Sequence, residues 1–346
     1  MTNCWPFLAY FVYLSLRILA HIQEGEERQM SINATAVNPV VIPAEKQARM
    51  KELTKVPLLP WPSVVLFLVI VVGVTVTDYT AIQGQISYTT AMLLNIVWMY
   101  PIFHILHEGT HGALSSNKTL NNFIGQTALF FVWPEVTLKI FRLGHMQHHR
   151  HTNAPEDPDH YMFGSNWPST IFRWMTFEFN YLVYTLKLKT NTSKKILSTA
   201  IPVALLALVV ALGLCFLGYW KEVLMLWFIP SRIAMFLIGF AFLWLPHLGE
   251  NKEGKLLHMT LADSSLDNLT AGSTMRLGHN RLMSVLLQWH HLHLIHHMWP
   301  TTPSYNHEKI WALLKPELTQ RDLHVQHGFN LRPTFYPGGT LMPQAD

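Results

Sequence analysis

The sequence predicts an all-α integral membrane protein: two transmembrane helical hairpins, with interfacial helices, under a cytoplasmic histidine-rich cap that holds metal. Three observations predict it. Half of the 346 residues are hydrophobic and only 13% are charged, about half the charged share of an average soluble domain. Several apolar runs are long enough to cross a bilayer. Twenty histidines are present, and many fall in three short clusters. The formal charge of +4 is too small and too dispersed to argue for nucleic acid. Cys4 and Cys215 lie far apart in apolar runs. They form no CxxC pair, so neither a disulfide framework nor a thiolate metal site is readable.

Taken in order, residues 5–22 are apolar and aromatic, interrupted by Arg17. Three readings compete: an uncleaved signal-anchor, an interfacial helix, or upstream sequence translated from a wrong start. No small-residue cleavage site closes the run. Residues 23–60 are polar and contain proline, with Lys46, Arg49, Lys51 and Lys55 ahead of the first span. Residues 1–60 therefore read as a lead-in, 61–310 as the main domain and 311–346 as a C-terminal tail.

The uncharged run Val64–Val76 makes 61–82 a span, and a turn around Gly84 leads to a second span at 88–106. That span runs directly into His107. The patch 123–133 is short for a full span and reads as a buried or re-entrant helix. Residues 171–190 fit an amphipathic helix at the interface. Spans at 196–218 and 223–246 are joined by a tight turn at 219–222, and 247–346 is polar. Lys139, Arg142, Arg150, Lys187, Lys189, Lys194 and Lys195 fall on the side that also carries the histidine clusters. The positive-inside rule makes that side cytoplasmic.

The densest cluster is His145-Met146-Gln147-His148-His149-Arg150-His151, four histidines in seven residues. His145, His148 and His149 are spaced i, i+3 and i+4, which places them on one helix face. The spacing recurs at His293, His296 and His297. A helical pair, His107 and His111, comes earlier. Imidazole suits iron, zinc, copper and nickel, so ligand type does not name the metal. Eight box histidines exceed the four of a closed zinc site and suit two ions side by side. A bundle site built on paired Glu-x-x-His is not evident.

The three boxes, HxxxH, HxxHH and HxxHH, lie between two hairpins and a polar tail. With this arrangement roughly residues 60–310 resemble the membrane fatty acid desaturase superfamily. The stretches His148-His149-Arg150-His151-Thr152-Asn153, Glu156-Asp157-Pro158-Asp159 and His296-His297-Met298-Trp299-Pro300 are similar to the same enzymes. The resemblance implies a di-iron centre that uses O₂ to abstract hydrogen from an unactivated C–H bond. It implies His107, His111, His145, His148, His149, His293, His296 and His297 as ligands. It adds His247, in Trp244-Leu245-Pro246-His247, as a ninth. The implied activities are acyl desaturation or hydroxylation first, then carotenoid β-ring hydroxylation, then decarboxylation of a fatty acid to a terminal alkene. Many desaturases carry an asparagine ahead of the third box; His290 and His291 stand there instead.

Other residues invite lesser readings. Asp157, Asp159 and Glu108 are candidates to accept a hydrogen bond from a ligand histidine, with Asp263, Asp267 and Asn268 behind them. His104 is either an addition to the first box or a helix-interior histidine with a local partner. His151 and His160 fall outside the repeated spacing. Arg142, Arg150 and Arg232 are candidate anchors for a substrate carboxylate. No flavin, dinucleotide or haem motif appears, so electrons must come from an external ferredoxin-, rubredoxin- or cytochrome-type donor.

Two other classes compete. His107-Glu108-Gly109-Thr110-His111 also fits the H-E-x-x-H helix of a zinc peptidase, with the glutamate as base. That reading leaves two boxes idle and puts a glycine inside the metal helix. A metal transporter would place polar ligands within the spans near the midplane.

Overall fold

The structure, a computed structural model, describes residues 40–250, 254–259, 270–278 and 281–340. The apolar segment 5–22 and the candidates Asp263, Asp267 and Asn268 lie outside the described residues. Among the described residues, three helical stretches are long and apolar enough to cross a membrane: Trp61–Ile82, Tyr88–His111 and Asn191–His247. The first begins after Pro60 and carries Pro62 in its opening turn, where a missing N–H costs nothing. Ile70, Val74, Thr77 and Ala81 face inward, while Val65, Leu68, Val69, Val72 and Val76 are exposed, as a lipid-facing surface requires.

Ser87 caps the second stretch by accepting from the Thr90 N–H at 3.0 Å. Pro101 interrupts it, so helix Tyr88–Met99 is followed by a separate helix Ile102–His111. This first-box helix ends at Gly112, whose φ of 76° is left-handed. The apolar stretch therefore continues past residue 106 and takes both box histidines with it.

The expected spans 196–218 and 223–246 lie in one helical stretch, Asn191–His247. Gly218, with φ of 95°, breaks it; a side chain disfavours that conformation. Tyr88 Oη donates to Glu222 Oε1 at 2.7 Å. Asn95 Nδ2 bridges Asp78 Oδ1 at 2.8 Å and the Leu226 carbonyl at 2.9 Å. These bonds bring the 83–87 and 218–222 turns to one end of the bundle. His107, His111 and His247 lie toward the other.

Helix Lys118–Val132 is the buried element expected at 123–133, with Ile124, Gly125, Ala128, Leu129 and Val132 inside. It lies against the first-box helix so closely that a Cβ on Gly109 would sit 3.0 Å from the Gly125 Cα. Gly109 is thus where two helix backbones touch. The 171–190 region forms two helices, Trp167–Trp174 and Phe177–Leu188, with Trp174, Phe177 and Tyr181 buried.

The polar end departs from an all-α expectation. Strand β1 (Leu248–Glu250) pairs antiparallel with β2 (Leu256–His258). Strand β3 (Thr274–Leu277) runs parallel to β4 (Leu323–His327), which pairs antiparallel with β5 (Thr334–Tyr336). Strands of three to five residues are too short to show a period of two. Around them a second apolar cluster joins Leu294, Ile295, Ile310, Leu314 and Val325 to Met50 and Leu53 of helix Ala44–Leu53. Asn306 Nδ2 donates to the Leu53 carbonyl at 2.9 Å, so part of the lead-in braces the third box.

Candidate metal centre

Each box is placed by a short helix. The first-box helix Ile102–His111 buries His107 and His111 on neighbouring turns. The second-box helix Leu138–Arg150 starts at Thr137, whose side chain accepts from the Ile140 N–H. It passes so near Tyr181 that a Cβ on Gly144 would lie 2.5 Å from the ring. The third-box helix, His293–Met298, has six residues. It follows Gln288 and Trp289, both left-handed, with φ of 49° and 59°.

The nine histidines expected as ligands converge in two groups, each with its candidate donor atoms within 4.8 Å of one another. His107, His111, His145, His149 and His296 form one; His148, His247, His293 and His297 form the other. In the first, Nε2 of His145 lies 2.9 Å from Nε2 of His107 and 3.3 Å from that of His149, which lies 2.9 Å from that of His296. In the second, Nε2 of His293 lies 3.2 Å from that of His247 and 3.0 Å from that of His297. Metal–imidazole bonds of about 2.1 Å set at right angles would hold neighbouring nitrogens about 3 Å apart. His111 has both ring nitrogens buried without a hydrogen-bond partner, as expected of a ligand whose ion is the missing partner. Outside the spans, burial first and neighbouring imidazoles second hold His145, His149, His293, His296 and His297 well below the usual imidazole value. Neutral rings with converging lone pairs are what a first-row metal needs, so the residues present fit iron.

His148 differs. Burial would lower its pKa, but Asp157 and Asp159 outweigh burial and push it up to about 9. Its Nδ1 lies 3.0 Å from both oxygens of Asp157. Asp157 also receives the backbone N–H of Asn153 and of Asp159. Tyr181 Oη donates to Asp159 Oδ1 at 2.8 Å. Burial raises Asp159 to about 6. Behind His247 stands the Gly272 carbonyl, 3.2 Å from Nδ1, and behind His297 stands Thr152 Oγ1, 3.3 Å from Nδ1. His290 meets His107, Nε2 to Nδ1 at 2.9 Å. Sequence reading singled out Asp157 and Asp159 but gave no such role to His290, Thr152 or Gly272. The signal for His290 was its place ahead of the third box.

Several expectations are corrected. Glu108 serves no box histidine: it accepts from Ser63 Oγ at 2.5 Å and from Ser304 N and Oγ, each at 2.9 Å. His104 lies beside the same group, 3.5 Å from Glu108 Oε2, and is the helix-interior histidine rather than part of the box. A glutamate so engaged is not placed as the base of an H-E-x-x-H site. Asp157, His160 and His258 form a smaller group. His151 joins none of the groups found among the described residues. Arg142 donates to the carbonyls of Thr110 and Gly109 at 2.9 and 2.8 Å, closing the end of the first-box helix. Arg232 is bonded to Glu178 and to the Met175 carbonyl. Burial raises Glu178 to about 7 even beside that guanidinium. Neither arginine is set aside for a substrate carboxylate. Arg150 is exposed.

A profile of the fatty acid desaturase family matches residues 86–329. The chain belongs to the fatty acid desaturase family. A beta-carotene ketolase of Paracoccus sp. (strain PC1) is 34% identical over 96 residues, covering 24% of this chain and 36% of that protein. The chain therefore spans about a third of the relative it matches. The apolar helical stretches and the histidine clusters fit that membership. The resemblance carried by the three boxes is borne out.

Proposed function

We propose that this desaturase-family protein is an O₂-dependent membrane oxidase. It holds two iron ions on the nine histidines and removes hydrogen from an apolar chain drawn from the bilayer. The observation that carries the reading is the convergence of five and four imidazoles, seven of them buried and those of His149 and His297 half-buried, at one end of the apolar helices. When bound, the irons supply O₂ activation and the power to break an unactivated C–H bond. The chain's own residues present lone pairs, fix ring orientations and exclude water. Asp157, the Gly272 carbonyl and Thr152 stand at the outer nitrogens of His148, His247 and His297. Phe103 packs on His107, Phe141 on His145 and Phe242 on His290, beside the five-histidine group.

The arrangement is two membrane hairpins with the boxes on the cytoplasmic side, supported by the basic residues at that end. A fatty acyl chain is the first substrate class, undergoing desaturation or hydroxylation. The likeness to a beta-carotene ketolase favours a second reading, oxidation of a carotenoid ring. The fates of Arg142 and Arg232 weigh against decarboxylation of a free fatty acid. Electrons come from an external ferredoxin-, rubredoxin- or cytochrome-type donor.

The test is metal analysis of the purified protein together with lipid and carotenoid profiling of cells expressing it, with and without His148→Ala. The reading expects about two irons per chain and a new unsaturated, hydroxylated or keto product that vanishes with the variant. A single zinc and unchanged lipids would overturn it.

A further inference from the structure

We infer that His290 is a positioning residue that fixes the tautomer of His107 and so decides which of its nitrogens faces the iron. The inference rests on the metal reading above. Nδ1 of His290 lies 3.1 Å from the Gln288 carbonyl. A carbonyl only accepts, so this nitrogen carries the proton. In a neutral ring the other nitrogen, Nε2, is then an acceptor. That atom lies 2.9 Å from Nδ1 of His107, which must be the donor. His107 is left with a bare Nε2, the atom that faces His145 at 2.9 Å. The hydrogen-bond pattern thus assigns both tautomers. A carboxylate, backbone carbonyl or water commonly takes this outer position; here a second imidazole does, itself anchored on a carbonyl.

The surroundings hold this relay in place. His290 is buried, between Phe242, with ring centroids 5.3 Å apart, and Phe103, at 5.9 Å. The two left-handed residues before it, Gln288 and Trp289, cost conformational energy that something must offset. Gln288 does so by clamping the start of the first-box helix. Its Oε1 accepts from the His104 N–H at 2.9 Å, and its Nε2 donates to the Tyr100 carbonyl at 3.1 Å. Both are backbone groups at the Pro101 interruption, where their own turn partners are the longer bonds from the His104 N–H to the Pro101 carbonyl, at 3.2 Å, and from the Phe103 N–H to the Tyr100 carbonyl, at 3.4 Å. The 287–290 turn is therefore bolted to the helix whose ligand it orients.

The experiment compares the purified full chain with His290→Phe, which keeps a ring without an acceptor, and His290→Gln, which restores one. Iron per chain, the rate of iron loss to an excess of chelator and the Mössbauer spectrum are recorded. The Phe variant is expected to lose iron about 10-fold faster or more, with one of two iron signals altered. The Gln variant is expected to stay within about threefold of the parent. Phe242→Leu removes the packed ring but leaves the hydrogen bond, and is expected to leave both iron signals in place. Parent-like iron retention and spectrum in the Phe variant would overturn the inference, as would equal losses in the Phe variant and Phe242→Leu. Where the Phe variant is not recovered folded, fast iron loss from a folded Gln variant overturns it. Absence of iron from the parent protein would defeat the metal reading instead.

Discussion

The five-histidine and four-histidine groups share a seam of imidazoles but differ in what stands behind them. The four-histidine group is backed by anionic and backbone oxygens: Asp157 on His148, with Asp159 near, and the Gly272 carbonyl on His247. The five-histidine group is backed by a neutral imidazole, His290, on His107. Arg142 lies at the carbonyl end of the first-box helix. A carboxylate behind an imidazole makes it a stronger donor, whereas a neutral partner orients it without adding charge. Two ions held by these groups would sit in unequal fields although every ligand is a histidine. The contrast teaches that ligand count alone does not describe such a centre.

The sharpest break of the comparison is removal of His148, the residue where the carboxylate meets the seam. His148→Ala is expected to abolish product formation, with loss of at least one of about two irons, and to leave membrane insertion intact. Retention of both irons and full activity would remove His148 from the site. Asp157→Asn is the next largest. It leaves the ligand but neutralises its backing, and is expected to weaken metal at the four-histidine group about 10- to 100-fold. The five-histidine group is expected to change far less. Equal weakening of both would erase the distinction.

The same contrast has a pH signature. His148, raised to about 9, stays protonated across neutral pH without metal, and an ion must displace that proton. Loading of the four-histidine group is therefore expected to strengthen about tenfold per pH unit until about pH 9 and to flatten above it. His145, His149 and His296 lose their protons well below the usual imidazole range, so the five-histidine group is expected to load independently of pH above neutrality. Metal titrations between about pH 6.5 and 9.5 resolve the two phases. Parallel slopes would contradict the assignment.

How much of this was legible in the sequence follows from how local each signal is. The i, i+3, i+4 spacing of His145, His148 and His149 is local, and the structure does put it on a helix. So is the apolar run before His107. The part His290 plays was not legible, because its partner His107 lies 183 positions away. Strand β3 was equally hidden, since it pairs with β4 across the third box rather than with a neighbour in sequence. Glu108 misled for the opposite reason. Its local motif is that of a peptidase, yet Ser63 and Ser304, both distant in sequence, engage its carboxylate. Local periodicity announces helices and boxes; what stands behind a box is decided by long-range packing.

Gly144 tests whether the acidic backing depends on packing. A Cβ there would meet the Tyr181 ring at 2.5 Å, and Tyr181 holds Asp159. Gly144→Ala is expected to cost about 1–3 kcal/mol by overpacking, seen as a lower unfolding temperature in detergent. It is also expected to weaken the four-histidine group a few-fold, well short of Asp157→Asn. An unchanged unfolding temperature would mean the ring moves freely aside.

The smallest expected effect concerns the surface through which both groups would be reduced. Lys187, Lys189, Lys194 and Lys195 are exposed around the connection that starts stretch Asn191–His247. The bond between Tyr88 and Glu222 puts the Gly218 turn at the opposite end of the bundle, so these lysines stand at the histidine end. An acidic electron donor would be steered toward them without any contact to the seam. Reversing Lys194 and Lys195 to glutamate is expected to slow reduction by such a donor about three- to tenfold at low salt. The difference should shrink as added salt screens the charges, and iron content should stay the same. Because the change acts before electrons reach either ion, both iron signals should slow together. If one alone slowed, the lysines would be acting on the centre itself, and the inequality between the groups would extend to the protein surface.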